Sequence, residues 1–207
     1  AEPDYLQMDV SKTADFLKNK CRWRTGALIN RVSGRRVRAI VPVHILGHPV
    51  DMDPLVALAK QYELMVIEDA AEGLGSVYRG RSVGGLGDIG CFSFNGNKIV
   101  TTGGGGMIVT DNPKWAERIR FLTTQARRQS KEEFIHDEIG YNYRLSNLQA
   151  SLGLAQMSRL PHFLKRKTFI AKTYRENLAE VSVCRVFEDA PWGRSNNWLS
   201  ALSLLFY

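Results

Sequence analysis

Residues 91–110, CFSFNGNKIVTTGGGGMIVT, constrain this 207-residue chain more than any other stretch. Cys91-Phe92-Ser93-Phe94 is a short apolar run, and the polar turn Asn95-Gly96-Asn97 after it delivers one lysine, Lys98. Four consecutive glycines, 103–106, lead into a second apolar run, Met107-Ile108-Val109-Thr110. Two strand-forming runs joined through glycine predict a tight backbone path beside something that must come close. A lysine delivered between two buried strands is poorly placed for solvent and well placed for amine chemistry. For an arbitrary lysine the surface-loop reading wins by a wide margin; here the upstream sequence argues for the other.

The preceding sequence supplies the frame. Residues 37–45, VRAIVPVHI, predict a buried strand, and Asp53-Pro54 predicts a helix start followed by helical spacing through Tyr62. Leu64-Met65-Val66-Ile67-Glu68-Asp69 is an apolar run ending in acids. Strand, helix and strand in so short a span predict a βαβ unit and a parallel sheet. The ligand crevice of such a sheet lies at the C-terminal strand ends, where Asp69 and His44 fall. Elsewhere, residues 11–23 predict an amphipathic helix capped by Ser11 or Thr13, and Asn112-Pro113 predicts a helix to about Gln129. Ser146 with Gln149 is a capping box, Pro161 opens a long helix to about Val181, and residues 196–207 read as a strand without a sheet.

Charge and cysteine usage narrow the function classes. The net charge of +7 comes from separate basic clusters, around residues 31–38, 127–128 and 165–167, without interleaved aromatics. They read as solvated faces, with attraction to a phosphorylated ligand second and nucleic acid a distant third. No apolar run suggests a membrane span, and the first residues lack the pattern of a signal peptide. Three widely spaced cysteines, Cys21, Cys91 and Cys184, suit reduced thiols of a cytoplasm and form no metal-binding pair.

Two glycine motifs invite a wrong reading. Gly85-Leu86-Gly87-Asp88-Ile89-Gly90 matches G-x-G-x-x-G, but a dinucleotide site needs a strand before it and a helix opening within it. Here a strand follows. The glycines at 103–106 lack the Gly-Lys-Ser/Thr ending of a phosphate loop. What remains is Asp69 at one strand end, Ser93 on the next strand and Lys98 five residues later. A pyridoxal phosphate site needs those types: an amine, a carboxylate for the pyridine nitrogen and hydroxyl donors for the phosphate. Asp69 as a helix cap and Ser93 as a core hydroxyl remain open on spacing alone.

Several motifs in order carry a resemblance. They are Val66-Ile67-Glu68-Asp69-Ala70-Ala71-Glu72, Gly87-Asp88-Ile89-Gly90-Cys91-Phe92-Ser93-Phe94, Asn97-Lys98, Thr101-Thr102-Gly103 and Gly106-Met107. Pro42-Val43-His44 with Gly47 and Asp51-Met52-Asp53 precedes them, and Gly140-Tyr141-Asn142-Tyr143-Arg144-Leu145 follows. Together they resemble the DegT/DnrJ/StrS family of nucleotide-sugar aminotransferases over about residues 35–180. The segment FSFNGNK-IVTTGGGG and the ending SNNWLSALSL are most similar to members acting on UDP- or GDP-linked 4-keto-6-deoxy-N-acetylhexosamines for surface glycans.

The resemblance implies an α/β fold: the large domain of a fold type I transferase (the aspartate aminotransferase type), its sheet mostly parallel. Residues 1–165 would belong to that pyridoxal-phosphate-binding domain, and 166–207 to a connecting helix and the start of a small C-terminal domain. It implies that Lys98 holds the cofactor covalently, Asp69 pairs with its ring nitrogen and Ser93 contacts its phosphate. Asn142 would reach the cofactor phosphate of a neighbouring subunit in a homodimer. Glu72 takes a place against the cofactor ring, with an undefined role. Tyr141, Arg144, His136 and His44 become candidate substrate or interface residues, each histidine being equally a structural one. The implied reaction moves an amino group from L-glutamate to the C4 ketone of a nucleotide sugar. Family members are longer, so the chain reads as a fragment, with a phosphate-gripping turn expected before residue 1. A sugar dehydratase on the same fold is the runner-up, although such relatives carry histidine in place of the lysine. A non-catalytic sensor or a truncated inactive homologue is the other alternative.

Overall fold

The computed structural model describes residues 1–128 and 133–205. Helix α1 (Val10–Lys20) leads into strands β1 (Cys21–Arg24), β2 (Ala27–Asn30) and β3 (Ala39–Ile40), then helix α2 (Met52–Gln61). Strands β4 (Met65–Asp69), β5 (Val77–Tyr78), β6 (Arg81–Ser82), β7 (Ile89–Ser93) and β8 (Gly106–Val109) come next. Helices α3 (Pro113–Thr123), α4 (Asn147–Met157) and α5 (Leu160–Leu178) follow, and strands β9 (Cys184–Val186), β10 (Gly193–Arg194) and β11 (Leu202–Leu204) end the chain. Among the described residues no helix is long and apolar enough to cross a membrane.

The central sheet runs in the order β3-β4-β7-β8. Ala39 lies opposite Met65 and Ile67 opposite Ile89 in parallel register, while β8 returns antiparallel to β7 through the glycine-rich connection. The fold is therefore α/β with a mostly parallel sheet, and β3-α2-β4 is the predicted crossover unit. Met52, Leu55 and Ala59 on α2 are buried with Val50, Val66 and Tyr78 in one core. Full burial of side chains such as Leu55 or Met52 contributes about 1.5–3 kcal/mol each, so α2 is held by packing more than by propensity.

Several boundaries depart from expectation for local reasons. The first helix stops at Lys20, and its cap is Asp9, which accepts from the Lys12 N–H. Residues 21–24 leave it to form a hairpin, because Thr25 and Gly26 both adopt positive φ, as a two-residue turn requires. The strand expected over 37–45 shrinks to Ala39–Ile40. Pro42 has no N–H for the ladder, and Val43 regains pairing only as a bridge to Asp69. Helix α3 ends at Thr123, ahead of two residues with positive φ, Gln125 and Ala126; Gln129 lies outside the described residues. The predicted capping box at Ser146 and Gln149 is present, and α5 ends at Leu178. The last stretch does find a partner: Leu202–Leu204 pairs antiparallel with Cys184–Val186, while Asn196, Asn197 and Trp198 are buried outside any strand.

Candidate active site

Strands β4 and β7 lie side by side and end together, Asp69 opposite Cys91 and Ser93 two residues further along. Beyond β7 the polar turn is closed by the Lys98 N–H donating to Asn95 O at 3.0 Å. Ser93 Oγ accepts the Asn95 N–H at 3.3 Å. Phe94 and Val100, on either side of the turn, are buried. Phe94 also takes backbone bonds from Thr102 and to Gly105. The turn is thus anchored at both ends, and Lys98 rises from a fixed base.

The Lys98 side chain is 13% exposed, and its Nζ lies 3.5 Å from Glu72 Oε1. On another side Nζ stands 4.0 Å from the centroid of the Trp198 ring. Glu72 is fixed in turn, because its Oε2 accepts the Leu46 N–H at 2.8 Å. Glu72, Ser93, Lys98, Asn196 and Trp198 line a small cleft of about 10 Å³. A larger cavity of about 40 Å³, between Tyr5, His48, Arg175 and Asp189, contains none of the reactive groups at the strand ends. The chemistry therefore points to the smaller one.

Asp69 accepts the Ala71 N–H on Oδ1 at 3.1 Å; its Oδ2 takes no hydrogen bond from the described residues. Burial pushes the neighbouring Cys91 thiol above its ordinary range, and the Asp69 charge adds to this.

The residue before Asp69 has a different task. Glu68 is buried within the sheet and accepts from His44 Nε2 at 3.0 Å, Gly84 N at 2.7 Å, and Leu86 N and Gly87 N at 2.6 Å each. Burial pushes its carboxyl up, but the bonds from His44, Gly87 and Gly84 outweigh that and hold it below the ordinary value. The G-x-G-x-x-G segment is thus a cradle for an internal carboxylate, with β7 and no helix after it. Gly90 is obligatory there, because a Cβ on it would collide with the Gly84 carbonyl oxygen.

His44 belongs to this cluster: it is buried, and its Nδ1 accepts the Val50 N–H at 3.1 Å. Asn142 is exposed and bridges Thr124, and Tyr141 stacks on Tyr143 with centroids 5.1 Å apart. Arg144 is exposed, and His136 is exposed with Nδ1 2.7 Å from Gln125 O. None of these five lines the Lys98 cleft. Two residues that do, Asn196 and Trp198, were hidden by the strand reading of 196–207; the polar pair Asn196-Asn197 beside a tryptophan was the available signal against a strand.

Comparison with known proteins identifies the family and the fold. Residues 11–205 match the DegT/DnrJ/EryC1/StrS aminotransferase family. EpsN of Bacillus subtilis, which bears the name of a pyridoxal phosphate-dependent aminotransferase, is 42% identical over 172 residues, 83% of this chain and 44% of its own length. GDP-perosamine synthase of Escherichia coli O157:H7 is 46% identical over 143 residues, 69% of this chain and 39% of that protein. The crystal structure of S. venezuelae DesV in complex with a ketimine intermediate superposes with a TM-score of 0.82 at 30% identity, covering 97% of this chain and 49% of DesV. The chain spans about half the length of the relatives it matches, or less. Its fold is that of the pyridoxal-phosphate-dependent sugar aminotransferases, fold type I. With a match over nearly its whole length, and with a parallel sheet whose strands β4 and β7 end at Asp69 and Ser93, the chain belongs to the DegT/DnrJ/EryC1/StrS aminotransferase family.

Proposed function

We propose that this chain is the cofactor-binding part of an aminotransferase that moves an amino group from L-glutamate to the C4 ketone of a nucleotide-linked 4-keto-6-deoxy sugar, for surface glycans. The observation that carries this reading is the Lys98 amine, enclosed in a cleft with Glu72 at 3.5 Å and with Ser93 on its wall. Pyridoxal phosphate is the family's cofactor, and the donor set suits it. Asp69 Oδ2 takes no hydrogen bond from the described residues and can accept a ring N–H. Ser93 Oγ accepts from Asn95, so its own hydrogen remains available to a phosphate. When bound, the cofactor withdraws electrons from the carbon that carries the amine.

Each residue then has a task. Lys98 anchors the cofactor and afterwards carries a proton on Nζ between the carbons that exchange it. Asp69 keeps the ring nitrogen protonated, and Ser93 holds the phosphate. Glu72 fixes Lys98 Nζ through its Oε1. The exposed Asn142 reaches a second copy of the chain in a homodimer. Residues 1–165 form the cofactor domain, and 166–207 a connecting helix and the start of a smaller one. The name of the GDP-perosamine synthase relative supports a nucleotide sugar as acceptor. The three free cysteines suit a reducing compartment such as the cytoplasm.

The test is an absorbance spectrum of the purified chain with pyridoxal phosphate, followed by borohydride reduction and peptide mapping. A reduced cofactor adduct on Lys98 is the expected result. Absence of that adduct, here and in a longer form of the protein containing this sequence, overturns the reading. Glutamate and candidate UDP- and GDP-4-keto sugars then identify donor and acceptor.

A further inference from the structure

Trp198 stands a hundred residues from Lys98 in sequence, yet its ring face meets the Lys98 amine at 4.0 Å. The side chain is locked. Its Nε1 donates to Asn97 O at 2.8 Å, on the turn that carries Lys98. Its backbone N–H donates to Asn196 Oδ1 at 2.9 Å, and its carbonyl accepts from Lys167 Nζ at 2.9 Å. Asn196 is tied to the Glu72 segment, donating to Glu72 O at 2.6 Å and Leu74 O at 2.9 Å. It fits there because Gly47, at φ +78, has no Cβ to strike it. One short segment therefore grips both members of the Lys98–Glu72 pair.

We infer that Trp198 is a positioning residue, holding the Lys98 amine at the Glu72 and Ser93 end of the cleft. An ion pair at 3.5 Å leaves a flexible four-carbon stem free to swing, and the ring face adds the second restraint. A tryptophan that merely filled core space would pack against carbon, whereas this one presents its face to a cation. An amine that must bond to one carbon reacts faster when held in place. The catalytic meaning rests on the proposed aminotransferase; the restraint itself does not.

The test is trace acetylation of the whole chain, read lysine by lysine by mass spectrometry, with exposed Lys12 and Lys172 as internal standards. Trp198→Phe keeps a ring, while Trp198→Leu and Trp198→Met fill the space without one. The two non-aromatic variants raise the Lys98 rate about ten-fold relative to the standards, the scale of a partly desolvated cation–π contact, while Trp198→Phe stays within about two-fold of the parent. Three results overturn the inference: Lys98 unchanged without the ring, Trp198→Phe as fast as Trp198→Leu, or all lysines accelerating together. Borohydride trapping of pyridoxal phosphate on the same variants separates the two ideas. No adduct even in the parent sinks the proposed function and leaves the labelling result standing.

Discussion

His44 Nε2 lies 3.0 Å from Glu68 Oε2, and neither side chain is reached by solvent. Because His44 Nδ1 accepts the Val50 N–H, the ring's proton for this contact sits on Nε2 and points at the carboxylate. Three amides of the glycine loop close the other side. This pair joins β4, the segment after β3 and the loop before β7, so it sets where Asp69, the next residue, stands.

Glu68→Gln replaces a carboxylate facing four donors with an amide that offers one acceptor oxygen. The substitution costs about 3 kcal/mol, as expected for breaking a buried charged network. The urea midpoint measures it, and an unchanged midpoint would show that the cradle contributes nothing to stability.

Acid dependence follows with a definite sign. The folded protein holds the Glu68 carboxyl below its ordinary value, so the unfolded chain takes up this proton first as pH falls. The Glu68 contribution is full above the ordinary carboxylate range and is lost as pH drops through the lowered folded value. Unfolding free energies across the acid range therefore fall less steeply in Glu68→Gln than in the parent. Parallel acid limbs would contradict this.

Two glycines of one motif part company. Gly90→Ala drives a methyl into the Gly84 carbonyl, and backbone cannot move aside cheaply, so about 2 kcal/mol or more is lost. Gly85→Ala meets open space and stays within about 1 kcal/mol of the parent. Thermal melts of both variants decide it, and equal effects would refute the close approach.

On the proposed function, Lys98→Ala and Asp69→Asn separate anchoring of the cofactor from tuning of its ring. Lys98→Ala removes the borohydride adduct and lowers amino transfer by at least about 10³-fold. Asp69→Asn can still accept the Ala71 N–H, so it retains the adduct and the fold while transfer drops about 10²-fold or more. Adduct mapping and turnover on the same preparations check both. Multiple turnovers by Lys98→Ala would remove Lys98 from its assigned role.

Local chemistry wrote much of this protein into its sequence. The apolar runs at Met65–Asp69 and Ile89–Ser93, the cap at Asn112, the box at Ser146 and the turn before Lys98 are governed by periodicity and hydrogen bonding within a few residues. They suffice for a parallel sheet and for Asp69 and Ser93 at its C-terminal end. Tertiary structure decided the rest. Glu68 read as one more acid at a strand end, and only the return of the glycine loop gave its buried carboxylate partners. Residues 196–198 read as strand, and only packing against the 72–76 segment brought Trp198 onto Lys98. Contacts between residues a hundred apart depend on where whole elements settle, and no local spacing encodes them.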